Sequence, residues 1–197
     1  MSFDAIFDGQ SVMAILRGLA AAETVRLAER LWDAGVTVLE VPIGAPPAVA
    51  SLAAAAHAAR ERGLHVGAGT VITVDQVRAA ATAGAQYTVA PGLDLTVSAA
   101  SVAAGMPHLP GVGSATEVQR AWLAGHRWLK AFPAKALGPA WVAALRGPFP
   151  DVRFVATGGL TAGDAPAFLD AGARVVALGA ALADPGQREQ IGNLLHK

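Results

Sequence analysis

The chain has 197 residues, 53% hydrophobic and 15% charged, with Lys+Arg and Asp+Glu balanced at 15 each. That length holds one domain with a sizeable core, and the charge balance argues against a nucleic-acid or acidic-membrane partner held by bulk electrostatics. Without cysteine, disulfides, thiolate metal sites and thiol nucleophiles are excluded.

In chain order, the sequence predicts a short N-terminal helix around Phe3–Asp8 and then short apolar runs alternating with longer helical stretches. The predicted strands are Met13–Leu16, Thr37–Val41, His65–Gly67, Gln86–Ala90, His108–Pro110, Arg127–Phe132, Arg153–Ala156 and Arg174–Leu178. Most are apolar on both faces, as parallel strands buried between two layers must be. The helices between and after them are Ala22–Ala34, Pro47–Arg62, Val74–Ala83, Leu95–Ala104, Ala115–Ala124, Pro139–Leu145, Ala162–Asp170 and Asp184–Leu195. Thr73, Ser114 and Thr161 suit N-caps, and Gly35, Gly63, Gly84, Gly105, Gly125 and Gly172 suit left-handed C-terminal positions. Eight strands each followed by a helix predict an α/β fold, a closed (β/α)8 TIM barrel forming one domain over residues 1–197. A doubly wound open sheet is the competing arrangement.

The first basic residue is Arg17, so the N-terminus lacks the positive flank of a secretory signal. The most apolar stretch, Ala45 to Ala59, is interrupted by Pro46, Pro47, Ser51 and His57 and is a poor membrane span. A cytoplasmic protein is expected. The helix Pro47–Arg62 is apolar nearly all round, which suggests a face that meets a neighbouring subunit.

Barrel chemistry gathers where strands end. Three charges sit at such ends inside apolar runs. Lys130 follows Trp128-Leu129 and precedes Ala131-Phe132, where an ammonium is costly to desolvate; imine chemistry needs a free amine. A lysine that snorkels to pair with a carboxylate is the other reading. Glu40, within Val38-Leu39-Glu40-Val41, suits proton transfer, or else an ion pair with Lys130 or Arg17. Arg17, before Gly18, presents a planar fork suited to a carboxylate; a salt bridge to Glu40 is the alternative. Thr157-Gly158-Gly159 and Gly179 mark the corner where barrels frequently bind phosphate. The five histidines show no metal-ligand spacing and read as surface or core residues.

The series Ala14-Ile15-Leu16-Arg17-Gly18, Leu39-Glu40-Val41, Gly67-Ala68-Gly69-Thr70-Val71, Ala90-Pro91-Gly92, Leu109-Pro110-Gly111, Leu129-Lys130-Ala131-Phe132-Pro133 and Thr157-Gly158-Gly159 resembles the KDPG/KHG aldolases. These are class I aldolases acting on 2-keto-3-deoxy-6-phosphogluconate or 4-hydroxy-2-oxoglutarate. The resemblance implies a homotrimer of (β/α)8 barrels, with no metal or cofactor and a small 2-keto acid as substrate. It implies Lys130 as the Schiff-base lysine, Glu40 as general acid/base and Arg17 as carboxylate ligand. Thr70, Pro91 and Phe132 would shape the pyruvyl pocket, and Thr157 would contact the substrate beyond the cleaved bond. Gly158, Gly159, Gly179 and Ala180 would meet the phosphate.

Three positions depart from the family's pattern. Gly44 falls where many members place an arginine, Ala180 where Gly-Ser is frequent, and Lys135 where many have glutamate. Phe132–Pro139 is similar to the phosphogalactonate branch, while Thr157 is similar to the phosphogluconate branch. A barrel isomerase or epimerase using Glu40 as base is the alternative from another enzyme class.

Overall fold

Along each strand of the computed structural model, successive side chains face two different buried surroundings, and this alternation builds the barrel. The structure describes residues 1–45, 47–184 and 186. Among these the strands are β1 (Val12–Ile15), β2 (Val38–Pro42), β3 (Val66–Gly69), β4 (Thr88–Val89), β5 (His108–Leu109), β6 (Gly111–Val112), β7 (Trp128–Ala131), β8 (Arg153–Thr157) and β9 (Val175–Leu178). All pair in parallel, in the order β5-β4-β3-β2-β1-β9-β8-β7-β6.

One strand expectation needs correcting. The predicted fifth strand, His108–Pro110, is interrupted at its proline and resumes as β6. Pro110 has no N–H to give to a ladder, but its carbonyl accepts from Lys130 N at 2.9 Å. β5 bonds to β4 and β6 to β7, so the ring closes through this residue. The competing open sheet is thereby set aside.

Helices follow the strands: α1 (Phe3–Ile6), α2 (Ala21–Asp33), α3 (Pro47–Glu61), α4 (Val74–Thr82), α5 (Leu95–Ala103), α6 (Ala115–Leu123), α7 (Ala134–Leu137), α8 (Pro139–Arg146) and α9 (Ala165–Asp170). Short 3-10 turns, Ala162–Asp164 and Ala180–Ala183, complete the set among the described residues. Thr73 closes a capping box with Gln76, Ser114 accepts from Glu117 N, and Thr161 forms a reciprocal cap with Asp164. The six predicted C-terminal glycines all have positive φ. The predicted helix Asp184–Leu195 lies outside the described residues, apart from Asp184 and Gly186.

Two apolar clusters result. The larger lies between barrel and helices, with Ala14, Leu39, Ala68, Leu129 and Phe154 facing outward from their strands. The smaller fills the barrel's lower interior with Met13, Val38, Tyr87, Val89, Leu109, Trp128, Val155 and Val175. Phe3, Ile6 and Phe7 join it from the N-terminal segment and seal the floor. Phe7 packs on Trp128 with ring centroids 4.7 Å apart, and Phe3 meets Tyr87 edge-on at 5.8 Å. Asp4 anchors the plug by accepting from Trp128 Nε1 at 2.9 Å and by pairing with Arg153.

A polar seam crosses the outer core between β4, β5 and α5. Thr88 Oγ1 meets Ser101 Oγ at 2.6 Å and His108 Nδ1 at 2.7 Å. Burial, with a smaller contribution from the neighbouring His126, holds the His108 imidazole down to about 4.

Two predictions follow from this packing. Phe7→Ala removes the ring that covers Trp128 and is expected to cost about 3–4 kcal/mol of stability, read from urea denaturation; a loss below the scatter of surface substitutions would show that the floor is not sealed by this ring. Because His108 is harder to protonate folded than unfolded, the unfolded chain takes up its proton first as pH falls. Its stabilising effect is therefore complete above about pH 6.5 and lost progressively toward pH 4, a change of about 3 kcal/mol. His108→Gln should flatten that part of the stability–pH curve.

Candidate active site

The two-residue period that buries Val38, Trp128 and Val155 in the lower barrel carries Glu40, Lys130 and Thr157 into the layer above. Glu40 and Lys130 are 1% and 5% exposed, and Lys130 Nζ lies 3.8 Å from Glu40 Oε1. That separation is within ion-pairing reach but too long for a hydrogen bond. Among the described residues neither Glu40 oxygen has a hydrogen-bond donor. Lys130 Nζ is also 5.4 Å from the centroid of the Phe132 ring. Lys130 is thus buried rather than snorkelled to solvent, and lies within ion-pairing reach of Glu40.

Two glycines make this placement possible. A Cβ on Gly69 would fall 2.1 Å from Glu40 Oε1, and one on Gly67 would fall 2.0 Å from the Tyr87 ring. β3 therefore gives up its inward side chains so that β2 and β4 can project across the barrel. Tyr87 is fully buried and donates its hydroxyl to Leu39 O at 2.5 Å. Burial, and secondarily Glu40, pushes its phenol well above the usual range, so it stays a neutral donor.

Arg17 stands at the mouth beyond β1, exposed, and donates to Thr70 Oγ1 at 3.3 Å. Among the described residues no carboxylate pairs with it, so the alternative bridge to Glu40 is not formed. Thr70 has φ of 58°, a strained conformation for a β-branched residue.

The mouth opens into a cavity of about 570 Å³. Its lining includes the predicted Arg17, Lys130, Phe132, Thr157, Gly158, Gly159, Gly179 and Ala180. Glu40 and Thr70 border it through Lys130 and Arg17. Pro91 stands apart from that lining, its backbone packed so closely on Gly111 that a Cβ there would fall 2.2 Å away. Leu19, Leu27 and Leu182, which the sequence reading did not single out, supply an apolar wall. Gly67 and Gly69 fall two apart on one face of β3, which runs to Gly69 where the sequence predicted the strand to end at Gly67. Among the described residues no group of three His, Cys, Asp or Glu is placed to hold a metal ion, and no helix is long and apolar enough to cross a membrane.

The fold is a closed parallel barrel with a buried lysine and carboxylate at the inner end of its cavity, and the comparisons name the family. The model of the KDPG and KHG aldolases matches residues 3–194. The 2-dehydro-3-deoxy-6-phosphogalactonate aldolase of Escherichia coli (strain K12) is 36% identical over 89% of this chain and 86% of its own length. The 2-dehydro-3-deoxy-phosphogluconate aldolase of Treponema pallidum (strain Nichols) is 38% identical over 84% and 78%. A KDPG aldolase from Legionella pneumophila, solved with pyruvate captured as a covalent carbinolamine, superposes with a TM-score of 0.84 at 29% identity, covering 97% of this chain and 95% of that one. The chain belongs to the KDPG and KHG aldolase family. It is a class I, pyruvate-forming aldolase, which disposes of the isomerase alternative.

Gly69→Ala should force Glu40 away from Lys130 while leaving both residues in the chain. Cleavage activity is expected to fall on the order of a hundredfold, as for other displacements of about an ångström. Activity near that of the unsubstituted chain would mean that Glu40 does not need its present position.

Proposed function

We propose that this aldolase cleaves a phosphorylated 2-keto-3-deoxy sugar acid, 2-dehydro-3-deoxy-6-phosphogluconate foremost, to pyruvate and glyceraldehyde 3-phosphate, with Lys130 as the nucleophile. The observation that carries this reading is the buried Lys130–Glu40 pair at the inner end of the cavity. Lys130 Nζ adds to the C2 ketone, giving a carbinolamine; Glu40 relays a proton to the departing hydroxyl, and water leaves. In the resulting iminium the C2 carbon draws electrons. Removal of the C4 hydroxyl proton then breaks C3–C4, releasing the aldehyde and leaving the enamine of pyruvate. The enamine takes a proton at C3 and is hydrolysed, restoring Lys130.

Arg17 receives the substrate carboxylate, with Thr70 setting the guanidinium in place. Thr157, buried at the end of β8, faces the part of the substrate beyond C3. Phe132 borders the pyruvyl half, with Pro91 packed behind the lining against Gly111, and Gly158, Gly159, Gly179 and Ala180 receive the phosphate end. The C4 epimer, 2-dehydro-3-deoxy-6-phosphogalactonate, is the second reading, because the Escherichia coli aldolase of that name matches over more of this chain than the Treponema relative. The short keto acid 4-hydroxy-2-oxoglutarate is a third candidate substrate. A cytoplasmic homotrimer completes the proposal. Among the described residues, Met1, Ile72, Leu95, Val102 and Leu123 are the exposed large apolar residues available for subunit contact.

Incubation with pyruvate and borohydride is expected to add one reduced pyruvyl group, mapped by mass to Lys130, and Lys130→Met should abolish it. An adduct elsewhere, or none, would remove Lys130 from the chemistry. Glu40→Gln should still trap pyruvate slowly while turnover drops about 10²–10⁴-fold. Comparing the two phosphorylated epimers and their unphosphorylated forms then separates the candidate substrates.

A further inference from the structure

Arg17 and Lys130 are the charged residues in the cavity lining, whereas the wall formed by Gly158, Gly159, Thr161 and the Gly179–Leu182 turn carries no charged side chain of its own. A phosphate lodged against that wall would find neutral groups in it. Just outside this wall, however, stand two opposite charges.

Lys135, in α7, donates its backbone N–H to Gly158 O at 3.0 Å, and a Cβ on Gly159 would lie 3.1 Å from Lys135 Cβ. Its stem therefore rests on the rim of the glycine loop. Its Nζ bonds Asp164 Oδ1 at 2.7 Å, with the lysine side chain 58% exposed. The other oxygen of Asp164 receives both the N–H and the hydroxyl of Thr161, each at 2.8 Å. Those bonds, led by the one to Lys135, hold the Asp164 carboxyl down to about 2, so it is anionic at any working pH. A fixed negative charge beside the loop that receives a phosphate is adverse unless a cation cancels it. Asp164 keeps two donors without the lysine, and an exposed ion pair contributes little, so Lys135 can turn toward an anion at small cost.

We propose that Lys135 is a specificity-determining residue that neutralises Asp164 and pairs with the terminal phosphate of the substrate. The proposal rests on the phosphorylated substrate argued above and extends it to a side chain outside the cavity lining. Asp164 is the resting partner of the lysine and holds its ammonium near the Gly158-Gly159 loop between turnovers.

The test compares Lys135→Met, Lys135→Arg and Asp164→Asn on a phosphorylated 2-keto-3-deoxy sugar acid and on its unphosphorylated form. Lys135→Met should raise KM for the phosphorylated substrate about fivefold to tenfold, as loss of one partly exposed charge contact predicts, with kcat within about twofold. KM for the unphosphorylated form should not move, and Lys135→Arg should restore most of the loss. Asp164→Asn, which keeps an oxygen for Thr161, should leave KM unchanged or lower it. The proposal is overturned if Lys135→Met leaves KM for the phosphorylated substrate unchanged or raises both KM values equally. It is equally overturned if Asp164→Asn raises KM as much as Lys135→Met, because the pair would then act only as a clamp on the loop. Pyruvate trapping in each variant reports the Lys130 chemistry separately, and unsubstituted protein that prefers the unphosphorylated substrate would count against the phosphate reading itself.

Discussion

Placing an amine and a carboxylate 3.8 Å apart with almost no solvent access is the constraint around which the upper barrel is arranged. Removing two charges from water is costly, and the attraction between them offsets that cost only with good geometry. Here the geometry is deliberately incomplete, since the pair is too far apart for a direct hydrogen bond and both carboxylate oxygens have no donor among the described residues. What prevents collapse is the scaffold: Glu40 and Lys130 come from β2 and β7, on opposite sides of the ring. The glycines of β3 leave the carboxylate room without a competing side chain.

The remainder of the site grades outward from this pair. Below it, Tyr87 spans the barrel as a neutral phenol and gives its proton to a backbone carbonyl rather than to Glu40. Above it, Arg17 is exposed and held by a hydroxyl rather than by an acid, so its charge is available to a ligand. The progression from dry and apolar to wet and charged runs along the barrel axis, and it follows from the order of residues within each strand.

Much of this was legible in the sequence. Apolar runs at βα spacing, with glycine stops after the helices, predicted the barrel. A lysine, a glutamate and an arginine at the ends of apolar strands pointed to residues that the structure brings to one end of the barrel. What escaped were features that depend on contact across the barrel. Pro110 sat at the end of a predicted strand, and only the pairing on both sides shows the ring closing through it. Gly69 lies beyond the predicted strand His65–Gly67; its purpose is apparent only once Glu40 occupies the space beside it. The pairing of Arg17 with Thr70 links positions 53 residues apart, beyond any local pattern. Tyr87 and His108, likewise, acquire their electrostatic character from burial, which composition and spacing do not report.

The aromatic plug at the floor has a further consequence. With Phe3, Ile6 and Phe7 packed on Tyr87 and Trp128, the barrel is closed at its lower end, and the cavity opens at the other. Under the proposed chemistry the fragment tethered to Lys130 occupies the inner position and the aldehyde the outer one, so the aldehyde leaves toward the mouth while the pyruvyl fragment is still held. In the synthetic direction the same arrangement places pyruvate first.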